Sequence, residues 1–90
     1  MKLRKLKNKV NITGEIAGEP KMTNINGKSA VEVLINANGV ITCYYYSDEN
    51  VFEKYEVGSK IILIGHVEAK DDMIVPIIEE YKVKNKKGVR

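Results

Sequence analysis

The sequence predicts an all-β domain with one short helix, closed into a five-stranded barrel, and three observations carry that expectation. Apolar residues recur with period two in five separate stretches, Gly and Asn cluster between those stretches, and helical spacing occurs once, between the third and fourth. Ninety residues suffice for one small domain, and 43% apolar with 30% charged residues is too apolar for a disordered chain. The longest apolar run, Ile61 to Ile64, falls far short of the roughly 20 residues of a membrane-spanning helix. Met1 to Lys9 is basic and lacks the apolar stretch of a secretory signal, so a cytoplasmic protein with no membrane segment is expected.

In the first strand Val10, Ile12, Gly14 and Ile16 alternate with Asn11, Thr13 and Glu15, giving one apolar and one polar face. Gly18, Pro20, Asn24, Asn26 and Gly27 make residues 17–27 a long connection, with Asn26-Gly27 as its tightest turn. A second strand follows, with Val31, Val33 and Ile35 on one face and Ala30, Glu32 and Leu34 on the other. Asn36-Ala37-Asn38-Gly39 then turns the chain into a third strand, Val40 to Tyr46, which is β-branched and aromatic. Ser47 or Asp48 can cap a short helix over 48–55 that carries Val51, Phe52 and Tyr55 on one side. Lys60 to Lys70 forms a fourth strand in which Gly65 marks a bulge or bend. Asp71-Asp72 turns into a fifth strand, Met73 to Val83, where Pro76 belongs at an edge or unpaired position.

The order β-β-β-α-β-β in so short a chain matches the five-stranded Greek-key barrel called the OB-fold. An SH3-like barrel also has five short strands but usually lacks a helix in that place. The barrel spans 10–83, between a basic arm at 1–9 and a basic tail at 84–90. Residues 1–9 and 82–90 each carry five cations and no acid, while residues 10–81 set five lysines against twelve acids, a balance of −7 within a total of +3. Unopposed basic ends suit a polyanionic partner, and they also keep a protein soluble.

Asn8-Lys9-Val10-Asn11-Ile12-Thr13-Gly14-Glu15-Ile16, followed by Glu19-Pro20 and Asn26-Gly27-Lys28, resembles the opening of the bacterial and phage single-stranded DNA-binding proteins. Tyr44-Tyr45-Tyr46-Ser47 falls where that family ends its third strand on an aromatic residue, and Glu56 to Gly65 resembles its fourth strand. The resemblance implies an OB-fold that binds single-stranded DNA with little sequence preference, as an oligomer, in replication or recombination of a plasmid, phage or mobile element. Three departures stand out. The sequence ends in Lys84 to Arg90 where the family has an acidic tip for partner proteins, Val40 stands where the family often has a stacking Trp, and the last turn is only Asp71-Asp72 where the family extends a DNA-wrapping hairpin. The tail function is therefore expected to be absent and the footprint small.

Binding of that kind needs aromatic faces for bases and cations for phosphates. With Ile41, Cys43 and Tyr45 inward, Thr42, Tyr44 and Tyr46 fall together on the outer face as candidate contacts; the alternative is that both tyrosines are cross-strand packing residues. Lys21 and Lys28 flank the first long connection, as phosphate contacts or as solvated lysines. Lys2, Arg4, Lys5 and Lys7 in the arm and Lys84, Lys86 and Lys87 in the tail are the unopposed cations. Phe52, Tyr55 and Tyr81 read as core closure, Cys43 as a small core residue and His66 as a surface or groove histidine. With one Cys, one His and no catalytic constellation, neither a cofactor, a metal nor an enzyme is expected. A protein–protein adaptor, favoured by the acidic body, and an RNA-binding module are the other readings.

Overall fold

A computed structural model describes residues 8–85, whose backbone forms six strands: β1 (Val10–Ile16), β2 (Lys21–Ile25), β3 (Lys28–Asn36), β4 (Val40–Tyr46), β5 (Lys60–Lys70) and β6 (Met73–Lys84). The sheet runs β1-β5-β6-β4-β3-β2 and closes on itself because β1 also pairs with β3, at Glu15 opposite Asn36 and Ile16 opposite Ile35. A ring of five strands results, with β2 added outside it along β3. All pairings are antiparallel except β4 with β6, which meet in parallel at Tyr44 and Ile77. Closure brings backbones together at Gly14, where a Cβ would lie 2.4 Å from the Asn36 carbonyl oxygen.

Two sequence expectations are corrected. Residues 17–27 are not an unbroken connection, because Lys21–Ile25 forms β2. Its apolar residues, Met22 and Ile25, do not alternate, and the strand's main-chain partner comes from β3 alone. The helix expected over 48–55 is not formed. Residues 51–55 make tight turns, with Glu53 N bonded to Asn50 O and Tyr55 N to Phe52 O, one residue short of helical spacing. Two features hold this shape: Asn50 Nδ2 donates to Pro20 O at 3.1 Å, and Phe52 is drawn fully into the core.

The ring's interior is filled by Ile16, Val31, Val33, Ile35, Cys43, Phe52, Ile61, Leu63 and Ile78, drawn from every ring strand and the turn segment. Phe52 meets Tyr45 edge-on at 5.7 Å between centroids and lies 4.5 Å from Tyr81, which sets the expected aromatic closure at one end of the ring. Cys43 is enclosed, and burial pushes its thiol up to about 12, so it behaves as a small apolar residue.

Two hairpin turns settle the register of β2, β3 and β4. Asn26 and Gly27 take φ of 50° and 82° in a two-residue loop, the geometry that lets twisted strands rejoin. Asn38 and Gly39 take 65° and 129°, with Gly39 N bonded to the Asn36 side chain at 3.2 Å. Gly65 does stand at a bulge, although the extra residue is across from it. Ile64 faces Glu80 and Gly65 faces Ile78, so Glu79 is the inserted residue on β6. A Cβ at position 65 would sit 1.8 Å from the Ile77 carbonyl oxygen, which explains the glycine.

Candidate nucleic-acid interface

Past this bulge β5 pairs only with β6, and β6 keeps a single ring partner, Ile77 beside Tyr44 of β4, so residues 66–77 form an arm. The turn at Asp71-Asp72 is as short as the sequence suggests, but the strands on both sides are long. A hairpin therefore extends here after all, its length in strand residues and not in the loop.

The arm stands over the outer face of β3 and β4. Cross-strand partners share a face, so register places Lys21, Glu32 and Tyr44 in one row and Thr23, Ala30 and Tyr46 in the next. Ile25 and Lys28 make a third row, and Leu34 beside Thr42 continues the face in the other direction. Five residues singled out from the sequence, Lys21, Lys28, Thr42, Tyr44 and Tyr46, thus come together. Lys84 does not join them, since it pairs opposite Lys60 at the far end of β6. Lys2, Arg4, Lys5, Lys7, Lys86 and Lys87 lie outside the described residues.

The two tyrosines differ. Tyr44 is only 8% exposed, packed with Ile25, Ala30, Val75 and Ile77 in a second apolar cluster roofed by the arm, so its ring is a packing element and not an open platform. Burial, with Glu32 alongside, pushes its phenol up. Tyr46 lies half-buried at the rim of that cluster. Lys28 Nζ sits 5.2 Å from its ring centroid, and its hydroxyl donates to Glu68 Oε1 at 2.6 Å. That bond, which the neutral phenol alone can donate, raises the Tyr46 pKa.

Sequence reasoning missed the polar chain beyond Tyr46. Glu68 Oε2 accepts from His66 Nε2 at 2.6 Å, and His66 Nδ1 faces Glu79 Oε2. His66 and Glu68, two apart on β5, share a face with Val75 and Ile77 of β6, and the bulge turns Glu79 toward them. The Tyr46 bond and then His66 hold the Glu68 carboxyl below its usual range, while Glu68 and then Glu79 hold the imidazole above its own. Alternation alone would have placed His66 and Glu68 on one face; their pairing with Glu79 needed the bulge.

Two asparagines also tie the arm down. Asn26 Nδ2 donates to Ala69 O at 3.0 Å from the β2–β3 turn. Asn8 brackets the Val67 backbone, donating to its carbonyl at 2.9 Å and accepting its N–H at 3.0 Å, as one more residue of β1 would. The face is therefore closed at the Tyr46 end and open toward Thr42, Leu34 and Val40. Its cations alternate with Glu32, Glu68 and Glu79, so it is mixed in charge and not a basic patch.

No protein-family model matches this chain, and no curated protein matches it in sequence. Among solved structures it is similar to the small single-stranded DNA-binding protein from Streptomyces coelicolor, with a TM-score of 0.58 and 13% identity over 91% of this chain and 96% of that one. At that identity the likeness shows the fold.

Proposed function

We propose that this protein binds single-stranded DNA with little sequence preference, along the outer face of β3 and β4 between the β1–β3 connection and the β5–β6 arm. The observation that carries this reading is the likeness, over nearly the whole of both chains, to a single-stranded DNA-binding protein. Ligands of OB-folds lie across this same pair of strands and its flanking loops. Tyr46 is the stacking residue, Thr42 and the rim of Tyr44 line the path, and Lys21 and Lys28 meet phosphates. The basic ends add sequence-independent phosphate contacts. One half-buried aromatic, Tyr46, is little for a tight complex, and self-association multiplies it through effective concentration.

The carboxylates on this face favour a second reading, a protein-binding adaptor with a basic partner. Titrating labelled oligo-dT, oligo-rU and a duplex at two salt concentrations separates the readings. The expected result is binding of oligo-dT above the duplex, weakened by salt. Removing residues 1–7 and 86–90 takes away seven cations and no acid, moving the net charge from +3 to −4. The salt dependence should then flatten by about 0.7 in log–log slope for each phosphate that the shortened protein no longer neutralises. Equal affinity for duplex, or none for any oligonucleotide, would overturn the proposal.

A further inference from the structure

Both ring nitrogens of His66 face carboxylate oxygens, Nε2 toward Glu68 and Nδ1 toward Glu79. A neutral imidazole has one N–H and one lone pair, so it can satisfy only one of them; the imidazolium donates to both. Glu68 spends its other oxygen on the Tyr46 hydroxyl. A continuous chain thus runs from the bulge residue Glu79 through His66 and Glu68 to Tyr46, linking β6, β5 and β4. The groups facing this chain are Lys28 from β3, over the Tyr46 ring, and Asn26 from the β2–β3 turn. Loss of the Nε2 bond would leave Glu68 free to swing away and loosen the Tyr46 ring and its tether to the arm, which Asn8 and Asn26 still hold.

We propose that His66 is a positioning residue for single-strand binding: its imidazolium, acting through Glu68, fixes the Tyr46 ring and the β5–β6 arm in the arrangement that accepts the ligand. The inference rests on the reading of this face as the DNA site. It makes affinity depend on the protonation of one side chain, and the chain contains only one histidine. Deprotonation leaves a lone pair against a carboxylate, the chain opens, and binding weakens. By linkage the strand in turn holds the proton on His66 more tightly, and each unit of that shift is a tenfold change in affinity.

Fluorescent oligo-dT is titrated into the wild-type protein, His66→Gln and Tyr46→Phe from pH 5.5 to 9 at fixed ionic strength, once at low and once at high salt. Wild-type affinity should fall roughly threefold to tenfold as His66 loses its proton. His66→Gln should bind at the weaker level throughout. Tyr46→Phe keeps the ring face and the His66 charge but cuts the tether, and it should also lose the pH dependence. A pH-independent wild type overturns the proposal, as does a Tyr46→Phe variant with the wild-type profile, since His66 would then act only through its charge. A pH effect that vanishes at high salt has the same meaning. Ring resonances of Tyr46 followed by NMR without DNA should shift with the His66 titration. If they shift while no oligonucleotide binds at any pH, the DNA reading has failed and the coupling stands alone; if DNA binds and they do not shift, the coupling has failed.

Discussion

The two faces of β4 both pack against apolar clusters, yet the clusters are held differently. Inward, Ile41, Cys43 and Tyr45 meet a core assembled from all five ring strands and sealed by Phe52. Outward, Tyr44 packs with four buried residues and Tyr46 at their rim, and the roof over them is an arm tied down by side-chain hydrogen bonds from Asn8, Asn26 and Tyr46. Ladder bonds and interior packing are lost only when the ring opens. A small cluster under a polar-tethered roof can open locally at lower cost. The contrast teaches where this molecule can respond to a ligand or to pH without unfolding.

The largest expected effect is on the inner face. Phe52→Ala empties a fully buried site ringed by Tyr45, Tyr55 and Tyr81, and should cost about 3–5 kcal/mol in urea unfolding. Tyr44→Ala should cost less, about 2–3 kcal/mol, because the arm can settle into the space. Equal losses would erase the distinction between the clusters.

Gly65→Ala probes the junction of ring and arm. The new methyl group would collide with the Ile77 carbonyl, and either the bulge or the β5–β6 register must shift. Overpacking of this kind costs roughly 1–3 kcal/mol. Hydrogen exchange should show the damage concentrated in residues 66–77, with the ring amides still protected. Uniform loss of protection would mean that ring and arm are one cooperative unit.

This division also marks how far the sequence could be read. The ring was legible because each of its strands has one face in the interior, so Ile12 and Ile16, Val31 to Ile35 and Ile41 to Tyr45 show period two. The OB expectation leaned on a helix over 48–55 to separate it from other small barrels; the helix is absent, and the ring topology and the structural likeness carry the fold instead. β2 was hidden because an edge strand needs no full apolar face. Tyr44 was placed on the correct face, but nothing local to Val40–Tyr46 reveals that residues thirty positions later, Val75 and Ile77, cover it. The His66 chain was illegible for a related reason: its last link, to Glu79, needs the bulge that changes the side-chain phase of β6, and its first, from Tyr46 to Glu68, joins strands far apart in sequence.

The smallest expected effect is the pH dependence of stability set by this chain. The imidazole of His66 is held above its ordinary 6.5, so its stabilising contribution is complete below that value and lost as pH rises through the folded pKa. The Glu68 carboxyl is held below its ordinary 4.5, so its contribution is complete above that value and lost as pH falls through the folded pKa. Both are fully present between pH 4.5 and 6.5, and from these groups stability should be highest there. Solvent reaches both side chains, with 27% and 32% of their surfaces exposed, so the alkaline loss should not exceed about 1 kcal/mol. Urea midpoints of the wild type and His66→Gln from pH 5 to 9 decide it. The wild type should decline on the alkaline side while the variant stays level, and Phe52→Ala, which leaves the outer face intact, should retain the wild-type decline on a lower baseline. If His66→Gln declines in parallel with the wild type, the alkaline loss comes from elsewhere and the outer face is not the pH-sensitive half of the molecule.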